Sequence, residues 1–380
     1  MTAVPLLPPA LVLVGVALLV WQLERRARST AARRFFASPA AALGLGLLLF
    51  FIALALLAPA IAPYRPSAQL DIVGLQNRPP SWRFLLGTDL FSRDVFSRLA
   101  YGARVSLGVG VLATIVSVAL GAAVGAAAGY FGRATDAVLM RLVDVGLAVP
   151  RIFIVLVAVA LGRPLAPVPL ALLLGLTGWF ATSRLVRAEV LSLREREFVE
   201  AARALGARPW RVIARHVLPG AAAVLVVAAA LSVANMLLLE AGLSFIGAGV
   251  QPPLPSWGNM IADARDLLVS APWLSLAPGL CITFVVLALH AVADGLKAAL
   301  DPLGFTTDTT TASSIRLSRS SILHNSLHRV RKSVTSLTDG TVWKIDIPYC
   351  FPRNSAGFGW SRAGRGRLRI REATEQGGRR

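Results

Sequence analysis

Residues 198–219 read FVEAARALGARPWRVIARHVLP, from Phe198 to Pro219. The stretch is polar and basic and lies between two long apolar runs. Up to Leu205 it is rich in strong helix formers. Gly206 suits the left-handed residue that closes a helix. Pro209 suits the first turn of the next helix, where a missing N–H costs little. Leu218 and Pro219 then lead into the following apolar run. The pattern predicts two short helices joined by a turn, lying across one face of a larger body. On composition alone, a solvated basic loop accounts for it equally well.

The larger body is read from the apolar runs, at 40–62, 105–130, 145–161, 164–183, 220–240 and 274–293. About 20 apolar residues in a helix cross the hydrocarbon of a bilayer. The composition agrees. Of 380 residues, 55% are hydrophobic and only 16% charged. Mean hydropathy is +0.64. Soluble domains are about half apolar and about one quarter charged. A disordered chain, a collagen and a disulfide-stapled miniprotein are all excluded. The reading is an all-α polytopic membrane protein with six core spans.

An additional run at 6–23 is of marginal length and contains Pro8 and Pro9. Arg25, Arg26, Arg28, Arg33 and Arg34 follow it. A signal peptide carries its charge before the apolar run. The expectation is therefore an extra N-terminal helix or anchor; a misassigned start codon is the alternative. Residues 305–380 are first Ser- and Thr-rich, then Gly- and Arg-rich, and hold about half of the net charge of +19. They read as a disordered cytoplasmic tail. Sequence added by a shifted stop is the alternative, and nucleic-acid binding by the arginines at 362–371 is disfavoured because no fold supports it.

Charge also sets the orientation, because cytoplasmic loops are enriched in Arg and Lys. The segment between the fourth and fifth core spans holds Arg184, Arg187, Arg194, Arg196, Arg203, Arg208, Arg211 and Arg215. Starting inside near residue 38 and crossing four times also places it inside. The loop 241–273 has Arg265 against Asp263 and Asp266, and belongs outside. The loop 63–103 is external by the crossing count, although mildly basic.

Little chemistry is available to this chain. Its only lysines are Lys297, Lys332 and Lys344, and none follows a glycine, so a Gly-Lys-Ser/Thr phosphate loop is impossible. Cys281 and Cys350 make no disulfide framework or zinc spacing. His216, His290, His324 and His328 form no intramembrane cluster. No catalytic residue, metal site or cofactor is expected.

Glu200, Ala201, Ala202, Gly206, Leu218 and Pro219 resemble, at its usual spacing, the EAA loop of ABC-importer permeases. His216, within Arg215-His216-Val217-Leu218-Pro219, is similar to the peptide and nickel branch. The segment from Leu86 to Leu107, LGTDLFSRDVFSRLAYGARVSL, resembles the entrance to the second span of the C-type permease of that branch, which more often has Gly where Ser92 stands. Asp94 and Arg98, four apart, could pair on a helix there. The segment from Leu238 to Pro255, LLEAGLSFIGAGVQPPLP, with Ser256, Trp257 and Gly258, is similar to the family's external loop. The resemblance covers about residues 35–304.

Together with the flanking readings it gives four parts: an anchor and basic linker (1–34), a first core span with an external loop (35–104), a permease domain (105–304) and the tail (305–380). It also implies half of a translocation pathway for di- or oligopeptides in a bacterial inner membrane. The EAA loop would couple this half to two ATP-binding subunits, beside a second homologous permease and an external substrate-binding protein. Nickel or another small solute is the same-family alternative. An ATP-independent carrier and a membrane enzyme are the other rivals.

Three further readings concern the spans. Gly121, Gly125 and Gly129 repeat every fourth residue and allow close helix approach, within the chain or against a second permease; internal packing is favoured. Glu240, Asp144 and His290 lie near span ends and read as interfacial. Asn235 is deeper and is a candidate pathway residue.

Overall fold

The computed structural model describes residues 9–26, 29–161 and 166–300. The tail expected at 305–380 lies outside the described residues, as do its histidines and Cys350. Helix α1 (Pro9–Arg25) precedes a short α2 (Thr30–Phe36), whose N-cap Ser29 accepts from the Ala32 amide at 3.1 Å. Helix α1 is about 26 Å long, short of the ~30 Å hydrocarbon thickness, and lays Val12 against the core. Ser38 caps α3 (Pro39–Leu56), which has Pro39 in its first turn, where the ring is tolerated. The expected continuous span 40–62 is broken at Leu57 and resumes as α4 (Ala58–Ile61).

Helix α5 (Val95–Phe131) has 37 residues and is the centre of the bundle. It is about 55 Å long, and its apolar part begins near residue 105. Its cap corrects one expectation. Asp94 does not pair with Arg98; it caps the helix, accepting from the Ser97 amide at 2.8 Å and the Ser97 hydroxyl at 2.6 Å. Arg98 instead bonds Asp89, and Asp263 at 3.1 Å. Arg93 joins both carboxylates, at 2.7 and 3.3 Å. This network ties the loop 63–94 to the loop after the fifth span and pairs two of its arginines, Arg93 and Arg98.

The third and fourth spans are bent pairs. Helices α6 (Arg133–Ala148) and α7 (Arg151–Leu161) meet at 79°. Val149 before Pro150 is extended, as proline demands of its predecessor. Helices α8 (Pro167–Leu176) and α9 (Trp179–Leu193) meet at 44° around Thr177 and Gly178. The Thr177 hydroxyl bonds back to Leu173 O at 2.9 Å, and the Arg151 guanidinium donates to Leu174 O and to Thr177 Oγ1, so freed backbone groups are satisfied.

Helices α10 (Glu197–Ala204) and α11 (Pro209–Val212), a π turn (Ile213–Val217) and α12 (Leu218–Gly220) lead to the fifth span, α13 (Ala222–Phe245). A short α14 (Trp257–Asp263) then precedes the sixth, α15 (Trp273–Leu300). Among the described residues four helices are each long and apolar enough to cross a membrane, and the count is six when each bent pair is taken as one span. No strand occurs among the described residues. The loop 63–94 and α14 gather at one end of the bundle. The segment 194–221 gathers at the other, which carries the arginines and is cytoplasmic by the positive-inside rule.

Glu240 does not reach water, as a snorkelling interfacial side chain would. It is fully buried, accepting from Ser106 at 3.1 Å and Ser244 at 2.7 Å. Those hydroxyls in turn accept from the Trp257 and Val250 amides at 3.1 and 3.2 Å, binding the external segment to α5 and α13. Asp144 is half exposed and pairs with Arg184. His290 is exposed, with Nδ1 2.8 Å from Val286 O.

Candidate functional site: the cytoplasmic helix pair

The segment 198–219 folds as its residue types dictate. Leu205 is the C-cap of α10, and Gly206 follows in the left-handed conformation at φ +76°. The Gly206 amide bonds Arg203 O at 2.9 Å and the Ala207 amide bonds Ala202 O at 3.1 Å. These two bonds form the Schellman closure that occupies the last helix carbonyls. Pro209 opens α11. The Leu218 amide then reaches Ile213 O, five residues back. This wide turn makes room for Pro219, whose ring would otherwise crowd the carbonyl one turn earlier.

One face of the pair is anchored. Val199, Val212, Ile213 and Val217 are buried in a cluster with Val186, Val190 and Leu193 of α9 and Ala126 of α5. The end of α5 supplies two aromatic seats. The Arg203 guanidinium lies 4.6 Å over the Tyr130 ring and donates Nε–H to its hydroxyl at 3.2 Å. Trp210 meets Phe131 edge-on at 6.0 Å. Arg194 donates to Gly129 O at 2.9 Å, covering one of the last carbonyls of α5, where a cation also complements the helix dipole. Arg187 clamps Asp136 with two hydrogen bonds, one of 2.5 Å.

The other face is open. Glu200, Ala201 and Gly206 are exposed, as is Pro219. Glu200 forms no ion pair among the described residues, so the alternative of pairing within the loop is not realised. Leu205 is 88% and Trp210 69% exposed. Ala202 differs from Ala201: it is half-buried and packs toward the cluster beneath. Leu218 does the same. His216 is half-buried with its ring 6.5 Å from Phe198. Leu205 and Trp210 thus leave apolar surface exposed on either side of the turn, and Glu200, Arg208 and Arg211, near them in the chain, are exposed as well.

The glycines lie beneath this site. A Cβ on Gly121 would meet Thr182 Cβ at 2.6 Å, and one on Gly129 would meet Val190 Cβ at 2.9 Å. All three glycines are buried against α9, whose next residues start the helix pair. Asn235 stands apart from the site, exposed in the middle of α13. Tyr130, Phe131, Leu205 and Trp210 were not singled out from sequence. The aromatic pair Tyr130–Phe131 at the end of an apolar run was the available signal for the seat.

Six spans with a solvent-facing helix pair seated at the basic end define a multi-pass helical membrane component. Residues 117–303 match the family described as binding-protein-dependent transport system inner membrane component. Residues 28–80 match the N-terminal TM domain of oligopeptide transport permease C. A Brucella suis protein named as a peptide permease is 42% identical over 274 residues, 71% of this chain and 89% of the relative. A second from that organism, named as a peptide transport system permease, is 41% identical over 273 residues, 71% of this chain and 90% of the relative. The dipeptide transport system permease protein DppC of Alkalihalophilus pseudofirmus is 40% identical over 268 residues, 69% and 85% respectively. The chain therefore belongs to the binding-protein-dependent transport system inner membrane component family, and is a multi-pass permease of the bacterial inner membrane.

Proposed function

We propose that this chain is one permease half of an ABC importer for di- or oligopeptides, and that its helix pair receives the motion of a separate ATP-hydrolysing subunit. The observation that carries the coupling role is the two-sidedness of the segment. Val199, Val212, Ile213 and Val217 fix it to α5 and α9, while Glu200, Ala201 and Leu205 are exposed and Trp210 is largely exposed beside its edge contact with Phe131. A rigidly seated helix pair transmits a push into the spans; a loose loop would absorb it. Ala201 lets a partner surface approach closely, Glu200 offers an anion, and Gly206 holds the turn that presents them. Ala202, His216, Leu218 and Pro219 shape the seat. The chain supplies no phosphate loop of its own, so ATP is bound elsewhere, on two partner subunits. A second homologous permease completes the pathway, and an external binding protein delivers the solute. The relatives' names favour peptide over nickel.

The test is peptide uptake by cells carrying Glu200→Lys or Gly206→Arg, with ATPase retention scored after purification in mild detergent. Uptake should fall while the chain remains in the membrane. Normal uptake by both variants, or ATPases still held by both, overturns the coupling assignment. Nickel uptake with no peptide uptake in the unaltered strain overturns the substrate.

A further inference from the structure

We propose that the groove between α3 and the outer part of α5 binds one anionic phospholipid of the outer leaflet. Arg104 holds the phosphate, and the apolar walls hold an acyl chain. This inference does not depend on which solute is carried. The groove has a volume of about 370 Å³ and is walled by Ile52 and Leu56 of α3 and by Gly108, Val111 and Ile115 of α5, with Arg104 at one end.

Arg104 is exposed and makes no hydrogen bond or ion pair with any described residue. The two preceding arginines are both paired, Arg93 and Arg98 with Asp89 and Asp263. Arg104 therefore offers the one uncommitted guanidinium among these three. Its position is that of a headgroup contact. After it, α5 carries no Asp, Glu, Lys or Arg to its end at Phe131. Arg104 thus marks the rim of the hydrocarbon, and an arginine there extends its head toward water. Side chains on a helix lean toward its N-terminus, which for α5 is the outer end.

The length of the groove matches one leaflet. Arg104 and Ile115 are eleven residues apart, about 16 Å along a helix, against about half of a ~30 Å hydrocarbon layer. The floor is open at Gly108, where a Cβ would meet nothing within 4 Å. A guanidinium presents a fixed charge and forked donors that match a phosphate diester. No carboxylate lines the groove. A headgroup of net negative charge therefore leaves a neutral pair, whereas a zwitterionic one would bring its own cation against Arg104.

The experiment uses the chain purified from native membranes with its companion subunits. A phosphatidylglycerol carrying a photoreactive group in its acyl chain is added, and the labelled peptides are mapped by mass spectrometry. Label should fall on the α3 and α5 segments that wall the groove. Arg104→Gln should lower it about tenfold, the loss of a charge-assisted hydrogen bond, and Arg104→Lys should retain most of it. Gly108→Leu fills the groove without touching the cation and should abolish the label. Four results would each overturn the proposal. These are unchanged labelling in Arg104→Gln and Gly108→Leu, equal labelling by a phosphatidylcholine probe, loss of label on adding peptide, and disulfide capture of a second permease by Gly108→Cys.

Discussion

Replacing Gly125 by alanine places a methyl group where α5 and α9 are closest. Its Cβ would press on the Ser183 carbonyl oxygen and lie 2.9 Å from Val186 Cβ and 3.0 Å from the Arg187 amide. Carbon atoms rest at about 3.5–4.0 Å, so α9 must retreat by about 0.5–1 Å. Overpacking of this kind costs about 1–3 kcal/mol. Alanine's helix preference returns about 0.5–1 kcal/mol, which leaves a net loss of up to about 2.5 kcal/mol. Gly108, on the same helix, is the control. A Cβ there meets nothing within 4 Å, so Gly108→Ala should stabilise by about 0.5–1 kcal/mol. Thermal unfolding of the two purified variants should move in opposite directions, each by a few degrees. Because α9 continues into the cytoplasmic helix pair, Gly125→Ala should also lower uptake. Equal unfolding temperatures would refute the close approach. A loss seen only in the assembled importer would show that these glycines face a second permease.

Three other outcomes follow from particular residues. Ser92 is left-handed at φ +55° and its buried hydroxyl has no hydrogen-bond partner among the described residues. Ser92→Gly should raise the unfolding temperature, because about 1–2 kcal/mol of backbone strain is removed against a smaller entropic loss. Arg93→Ala and Arg98→Ala should each cost little, because the remaining arginine still holds both carboxylates. The double variant strands the buried Asp89 and should loosen the external loop by about 3–5 kcal/mol, making residues 63–94 sensitive to added protease. Trp210→Ala gives up one exposed edge-on contact with Phe131, about 0.5–1.5 kcal/mol, so the fold should stand while ATPase subunits are lost on purification. Full retention of those subunits would place the docking surface elsewhere.

Parts of the site were legible because they depend on local chemistry. A left-handed residue between helix formers calls for glycine, and Gly206 takes that conformation. A polar basic stretch between apolar runs must leave the membrane, and residues 198–219 do. Ser92 is instructive in the other direction: the departure from glycine was visible, but its backbone strain was not. The seats on Tyr130 and Phe131 were missed because they pair residues more than 70 positions apart in chain number.

The sequence by itself determined the class and the apolar runs from which the spans are read, and it predicts the orientation. A helix satisfies its own backbone in lipid, so length and hydropathy along one dimension suffice for spans, and the arginine distribution suffices for sidedness. Which face of a span meets which neighbour is a different matter. In lipid every face is apolar, and the pattern carries little record of the contact. Only the tertiary structure turned the glycine stripe toward α9, buried Glu240 under Ser106 and Ser244, and joined Arg98 to Asp89 and to the distant Asp263 while leaving Arg104 unpaired among the described residues.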